Sequence, residues 1–197
     1  MFQFHSALAL AFLCTVAAPA MAQDFRLDFK DGIGSWSTVL DGVMGGLSTG
    51  RVSQPEAGIL RFTGELSLEN NGGFSQMRTA VREGACTGAE GLVLEVKGDG
   101  RTYTFDVRVS NVRMMAGAFQ QKFETKAGQW TEVRLPFDDF GLNVFGRSVP
   151  NPPALDPAKI ESIGVTLSDK KAGAFALDVR SIRTYSARDA EIGRAHV

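Results

Sequence analysis

Apolar residues that alternate with polar ones constrain this sequence more than any other feature. The clearest run covers residues 102–109, where Tyr103, Phe105, Val107 and Val109 share one face. Polar side chains occupy the opposite face of this run: Thr102, Asp106 and Arg108. The same period recurs at residues 25–29, 60–68, 92–96, 119–123, 133–135, 163–167 and 175–179. A period of two is typical of half-buried strands, so the sequence predicts roughly nine strands.

Turn signals rich in glycine, asparagine and lysine separate these runs. They lie at residues 70–73, 98–100, 126–128 and 170–173. No apolar stripe of helical period precedes the polar residues 186–197. The longest irregular stretch is residues 141–157. Short strands with frequent turns indicate an all-β sandwich or closed barrel. Residues 23–185 are therefore expected to form a single β-sandwich domain, followed by a polar C-terminal tail over 186–197.

The N-terminal residues 1–22 have the composition of a secretory signal peptide. They contain no Lys, Arg, Asp or Glu, and an apolar run leads to the small residues Ala20 and Ala22 on either side of Met21. The run is too short to span a bilayer, and the segment has none of the arginines of a mitochondrial transit peptide. The sequence thus predicts cleavage before Gln23 and a periplasmic or secreted location.

Composition narrows the chemistry of the predicted domain. The net charge of −1 and the absence of a Lys/Arg cluster argue against a nucleic-acid partner. No later apolar run reaches membrane-spanning length. Cleavage would remove His5 and Cys14, leaving His196 and Cys86, which is expected to be a small buried residue. Because His196 is the next-to-last residue, one Cys and this tail His are not expected to build a Ser-His-Asp or Cys-His relay or an ordinary zinc site, so no metal site is predicted. The composition does not exclude carboxylate catalysis. The one cofactor that it leaves open is a structural calcium ion.

Residues 40–50, LDGVMGGLSTG, form the most glycine-rich stretch of the chain. They lack the Lys-Ser/Thr of a phosphate-binding loop, and no predicted helix follows them. The glycines suit positive φ angles or close backbone packing instead. We therefore predict a rigid loop at the end of the sandwich, which Asp41 holds in place and under which Val43 and Met44 pack.

Several polar residues and one tryptophan are candidates for binding. Asn70 and Asn71 fit a turn, but adjacent amides also suit bidentate bonds to a sugar or a peptide. Asp99 and Arg101 occupy an expected hairpin between the strands at 92–96 and 102–109. Arg78, if it points inward, needs a carboxylate, and Asp41 is the expected partner. Trp130 opens a strand and is expected at a core or core-edge position, with an exposed carbohydrate-stacking platform as the alternative. The candidate set is Asp41, Asn70, Asn71, Arg78, Asp99, Arg101 and Trp130.

The order of these motifs resembles the complex I intermediate-associated protein 30 family. The stretch Asp41-Gly42-Val43-Met44-Gly45-Gly46 is the most specific part of the resemblance. Other parts are residues 70–74 with Arg78, residues 97–101 with Tyr103, residues 135–137 with Phe140, and 173–177. The resemblance implies a galactose-binding-like β-sandwich of jelly-roll type. Mitochondrial members of the family act as assembly chaperones for the membrane arm of respiratory complex I, and no catalytic residues carry over.

Two functions follow from the residues and from this resemblance. The first is a non-catalytic, chaperone-like binding or assembly module with a protein partner. The alternative is a carbohydrate-binding module with the same fold. The spacing of Asp41, Glu69 and Asp99 selects no catalytic carboxylate pair, so the sequence predicts no enzyme, although a carboxylate enzyme is not excluded.

Overall fold

A computed structural model describes residues 24–112 and 117–186. In these residues the chain forms thirteen strands and four short 3₁₀ helices, confirming the all-β prediction. The strands are β1 (Arg26–Leu27), β2 (Trp36–Leu40), β3 (Arg51–Ser53), β4 (Leu60–Leu66), β5 (Ser75–Ala80), β6 (Gly91–Lys97), β7 (Thr102–Val109), β8 (Gly117–Glu124), β9 (Trp130–Pro136), β10 (Gly141–Val144), β11 (Arg147–Ser148), β12 (Ile160–Leu167) and β13 (Gly173–Tyr185). The 3₁₀ helices are Asp41–Met44, Glu69–Asn71, Phe137–Asp139 and Pro157–Lys159.

The strands form two antiparallel sheets that pack face to face as a jelly-roll β-sandwich. The six-stranded sheet has the order β3-β4-β13-β6-β9, with β1 also paired to β13. The seven-stranded sheet has the order β11-β10-β8-β7-β12-β5-β2. Consecutive strands such as β4 and β5, or β12 and β13, lie in different sheets. The chain therefore crosses between the layers repeatedly, as it does in a jelly roll.

The core lies between the sheets and contains the apolar sets that the sequence analysis identified. Tyr103, Phe105 and Val107 on β7 are fully buried, as are Leu94 on β6 and Leu177 on β13. The rings of Phe62 and Phe175 meet edge to face with centroids 4.9 Å apart. Because one face of each strand is buried here, the alternating period fixes which side chains point outward.

The predicted hairpin at residues 97–101 is wrong. The register places β6 beside β13 and β9, whereas β7 pairs with β8 and β12. The segment is a crossing between the two sheets, with Gly98 in a parallel bridge to Ala127. Alternation marks two adjacent strands in the chain but does not show whether they share a sheet.

The number of strands was underestimated, because the missed strands are short. Within the stretch expected to be irregular, β10 and β11 form a hairpin. Its turn residues, Phe145 and Gly146, both have positive φ, at 49° and 75°. Two positive φ angles in sequence suit a tight hairpin turn, but phenylalanine is not a usual residue for this conformation, so no turn signal was visible.

Candidate functional site

Two loops meet at one end of the sandwich and expose apolar side chains. Val43 is 84% exposed, Met44 58% and Leu47 54%, and Leu68 on the neighbouring loop is also exposed. We call these four residues the apolar loop end. The prediction that Val43 and Met44 pack beneath the loop is wrong: the 3₁₀ helix Asp41–Met44 turns Asp41 inward and the two apolar side chains outward.

Asp41 is the buried anchor of this loop end, as predicted. Its side chain has 0% exposure. Oδ1 accepts from the backbone N–H of Ser48 at 3.0 Å, and Oδ2 accepts from the Ser48 hydroxyl at 2.5 Å. Oδ2 also accepts from the N–H groups of Gly73 at 2.7 Å and Phe74 at 3.2 Å. One carboxylate therefore joins residues 41–48 to residues 73–74.

Hydrogen bonds control the charge state of this anchor. Burial raises the pKa of the Asp41 carboxyl, but the bonds from Ser48, Gly73 and Phe74 outweigh burial and hold its pKa below the usual value.

Close packing against Asp41 requires glycine at two positions of the loops. A Cβ on Gly46 would lie 2.4 Å from Asp41 Cγ, and one on Gly72 would lie 2.7 Å from Asp41 Oδ2. The glycine-rich motif thus encloses a carboxylate.

Asn70 and Asn71 form the turn next to this anchor and are exposed. Both have left-handed backbone angles, with φ of 54° and 60°. Asparagine tolerates this conformation better than most residues, so the turn prediction is confirmed. A role of the two amides in binding stays a prediction.

Arg78 does not pair with Asp41. Arg78 on β5 is opposite Ser37 on β2, whereas Asp41 follows the end of β2, beyond the Leu40–Ser75 pair. The two residues are separated by four residues along the strands, about 14 Å at roughly 3.4 Å per residue. Arg78 also lies on the outer face, which alternates with the buried Met77, so the inward orientation that required a carboxylate is not adopted.

Asp99 and Arg101 hold loops at the same end of the sandwich, but near β7 rather than near β2. Arg101 binds Asp169 through two N–H groups, at 3.0 and 2.6 Å, and also donates to the carbonyls of Lys171, Gly173 and Ala174. This pairing raises the pKa of the Arg101 guanidinium. Asp99 accepts from the Tyr103 hydroxyl and from the backbone N–H of Ala176.

Trp130 lies on the outer face of the six-stranded sheet, opposite Lys97 in the register. The Arg180 guanidinium carbon is 4.0 Å from its ring centroid, and Lys97 Nζ is 5.1 Å away. These cation–π contacts cover a half-buried ring, so Trp130 is not inside the core, and its role in binding stays a prediction. The structure therefore brings Asn70 and Asn71 next to Asp41, and Asp99 next to Arg101, but the seven residues predicted from sequence do not converge on one cleft.

Asp106 was not among the site residues predicted from the sequence. Asp106 on β7 is 3% exposed although it faces away from the core. It accepts from Gln120 Nε2 at 2.6 Å, from Gln76 Nε2 at 3.0 Å and from the Thr166 hydroxyl. Burial raises the pKa of the Asp106 carboxyl, and these three bonds oppose burial without cancelling it. Aspartate is depleted in strand interiors, and its position within the 102–109 run was the available signal.

Within 24–112 and 117–186, no three His, Cys, Asp or Glu side chains are grouped so that they could hold a metal ion. In the same residues no helix combines the length and apolar character needed to cross a membrane. Cys86 is buried, as expected, and burial raises the pKa of its thiol to about 11.

The candidate site residues described above lie within a segment that matches a known protein family. The family model for complex I intermediate-associated protein 30 matches residues 25–179, which include both the Asp41 anchor and the Asp106 strand. The chain belongs to the complex I intermediate-associated protein 30 family. The resemblance carried by the Asp-Gly-Val-Met-Gly-Gly motif is therefore confirmed.

Curated relatives carry the same family name. The chain is 36% identical to mouse (Mus musculus) mitochondrial complex I intermediate-associated protein 30 over 100 residues, covering 48% of this chain and 30% of the relative. It is 28% identical to the Neurospora crassa protein over 138 residues, covering 62% of this chain and 50% of the relative. For the probable Caenorhabditis elegans protein the identity is 24%, with 83% and 54% covered. The chain spans 30% to 54% of these three relatives.

Solved structures with the same fold include carbohydrate-binding modules. The chain is similar to the family 11 module of a Clostridium thermocellum cellulase, with a TM-score of 0.63 and 16% identity, covering 85% of this chain and 97% of that one. An agarase, AgWH50C, matches with a TM-score of 0.55 and 9% identity, covering 81% of this chain and 26% of the enzyme. At these identities the likeness shows the fold alone, and the galactose-binding-like jelly-roll prediction is confirmed.

The prediction of a periplasmic or secreted location is wrong on these comparisons. The curated relatives are named as mitochondrial proteins. The prediction depended on the uncharged, apolar composition of residues 1–22, on Ala20 and Ala22 at the expected cleavage site and on the absence of arginine. These residues, like the tail over 187–197, lie outside the described part of the chain.

Proposed function

We propose that this chain is a non-catalytic, assembly-type binding module, which uses the apolar loop end to hold an apolar segment of a partner protein. The observation that carries the proposal is the concentration of exposed apolar side chains. Among the described residues, five large apolar side chains are exposed: Val43, Met44, Leu47, Leu68 and Phe145. Four of these belong to the apolar loop end, and clustered apolar exposure is typical of interaction surfaces.

The rigid base of the loop supports this function. Asp41 fixes both loops through four hydrogen bonds, so Val43 and Met44 extend from an ordered framework. A surface that is ordered before binding loses less conformational entropy when a partner docks. Methionine also adapts its shape to irregular apolar partners, as in binders that accept several sequences.

The family supports the choice of partner class. The curated relatives are named for association with complex I intermediates. A subunit or assembly intermediate of respiratory complex I is therefore the first partner to test for this chain. Catalysis is not part of the proposal, since Asp41 is enclosed by its donors and Cys86 is a protonated, buried thiol.

Quantitative co-purification tests the proposal. A tagged chain is compared with the double variant Val43→Ser/Met44→Ser, and complex I subunits in each eluate are measured by mass spectrometry. Burying one such side chain contributes about 1.5–3 kcal/mol, so the double variant should lower recovery at least about ten-fold. The matched control is Phe145→Asn, because Phe145 is apolar, exposed and distant in sequence, and asparagine suits its positive φ.

The co-purification has one result that supports the proposal and one that contradicts it. Loss of complex I subunits in the double variant, with recovery unchanged in Phe145→Asn, supports the apolar loop end as the binding surface. Equal recovery by the wild-type chain and the double variant contradicts it. Circular dichroism and thermal melting of all the proteins confirm that altered recovery does not reflect unfolding.

A further inference from the structure

The outer faces of the two sheets differ in how their cations are paired. On the six-stranded sheet the outward cations have acidic or aromatic partners, except Arg51 on β3, whose Nε donates to Thr63 Oγ1 at 3.3 Å. Arg61 and Lys97 bind Asp178, Arg180 binds Glu95, Arg183 binds Glu132, and Arg134 stacks on Tyr185. The seven-stranded sheet carries Arg78, Arg108 and Lys122 on its outer face. None of these three forms an ion pair with any other residue that the structure describes.

The centre of the seven-stranded face is built from ordered polar groups. Gln76 Nε2 lies 3.0 Å from Asp106 Oδ2 and 2.8 Å from Thr166 Oγ1, so both of its N–H groups are used. Gln120 Nε2 donates to Asp106 Oδ1. The buried carboxylate therefore orients both amides through their nitrogens. Each amide oxygen is then available to accept a hydrogen bond from a ligand.

Arg78 lies two strands away from Asp106, across Gly164 on β12. The register places Asp106 on β7, Gly164 on β12 and Arg78 on β5 in one row. Gly164 is buried, since a Cβ there would lie 2.5 Å from the carbonyl oxygen of Met77, and Asp106 and Arg78 are two strand spacings apart, about 10 Å. Lys122 lies opposite Thr104 in the next row, which keeps a second cation on the same surface.

We propose that the outer face of the seven-stranded sheet is a second binding site, which takes a saccharide carrying carboxylate groups. Arg78, Arg108 and Lys122 would bind the carboxylates, and the oriented amides of Gln76 and Gln120 would accept hydrogen bonds from hydroxyl groups. An acidic peptide supplies the charge but not the density of hydroxyl donors that the amide acceptors suit. The site is separate from the apolar loop end and does not depend on the function proposed for it.

Calorimetric titration with defined oligosaccharides tests this site on the full chain. The ligands are tetrasaccharides of galacturonate, glucuronate and mannuronate. Two controls separate charge from hydroxyl recognition: the methyl-esterified galacturonate tetrasaccharide, which is neutral, and tetraglutamate, which is charged but lacks the sugar hydroxyls. We expect at least one oligouronate to bind, more weakly at high salt, and both controls to bind at least about ten-fold more weakly.

Variants locate the site on the sheet. Arg78→Gln and Lys122→Gln each remove one cation, and loss of a charge-assisted hydrogen bond should weaken oligouronate binding about ten-fold or more. Arg51→Gln is the matched control, since Arg51 is an exposed arginine on β3 of the other sheet. The double variant Val43→Ser/Met44→Ser should bind oligouronate as the wild type does.

Three results would overturn the inference. The first is no heat of binding from any of the three oligouronates at concentrations up to about 10 mM, because a specific site should bind its ligand more tightly than this. The second is equal affinity for tetraglutamate, which would mean that charge alone is recognised. The third is an equal effect of Arg78→Gln and Arg51→Gln, which would place binding elsewhere.

Discussion

Replacement of Asp41 by alanine should destabilise the fold by about 3–5 kcal/mol, because buried donors then lack an acceptor. Four hydrogen bonds end on this carboxylate, three from backbone N–H groups and one from the Ser48 hydroxyl. Each buried donor left without a partner costs about 1–3 kcal/mol, and partial entry of water reduces the sum. Asp41→Asn keeps the volume and one acceptor oxygen, so its loss should be smaller, about 2 kcal/mol.

Urea unfolding followed by tryptophan fluorescence measures this loss. Asp31→Ala is the matched control, because Asp31 is an exposed carboxylate in the loop before β2. Its free energy of unfolding should stay within about 0.5 kcal/mol of the wild type. A loss below about 1 kcal/mol in Asp41→Ala would refute the reasoning that Asp41 is the anchor of the loop end.

The pH dependence of the unfolding free energy provides a second test of the role of Asp41. The pKa of Asp41 is lower in the folded chain than its usual value of 3.8. Its contribution is therefore fully present above the unfolded-state pKa and is lost as the pH falls below about 4 through the folded-state pKa. The difference in unfolding free energy between the wild type and Asp41→Asn should shrink over this acidic range. A difference that stays constant down to about pH 2 would contradict this linkage.

Three further predictions concern packing and charge. Gly46→Ala should lower the free energy of unfolding by about 1–3 kcal/mol, since its Cβ would overlap Asp41. The control is Gly42→Ala, because the space around a Cβ on Gly42 is open. Arg101→Lys should cost about 2–3 kcal/mol in urea unfolding, because lysine cannot replace the two-fold bond to Asp169; a loss as small as that of Arg51→Lys would contradict this. Cys86, whose thiol pKa is raised to about 11, should react with a disulfide reagent at neutral pH only after urea unfolding, and rapid reaction of the folded chain would be inconsistent with its burial.

The core and the anchor could be predicted from the sequence because local patterns determine them. Tyr103, Phe105 and Val107 alternate without interruption, and the structure buries all three. Asp41 is the only carboxylate within the glycine-rich stretch 40–50, and the glycines indicated close packing around it. Both inferences required only the period of a strand and the steric properties of glycine.

The features that were missed depend on which segments meet in space. The positions of Val43 and Met44 follow from the direction in which one 3₁₀ turn rotates, and apolarity alone suggested burial. The network around Asp106 joins β5, β7, β8 and β12, so no local pattern contains it. The pairing of Arg101 with Asp169 spans 68 residues and likewise required the sheet order.

Site-specific photocrosslinking tests the central claim that the apolar loop end is the protein-binding surface. A photoreactive amino acid replaces Met44 in one chain and Phe145 in another, and crosslinked peptides are identified by mass spectrometry from cells that assemble complex I. We predict that position 44 repeatedly captures an apolar segment of one complex I subunit or assembly intermediate, and that position 145 does not. Capture of the same peptides at both positions, or of none at position 44, would contradict the claim.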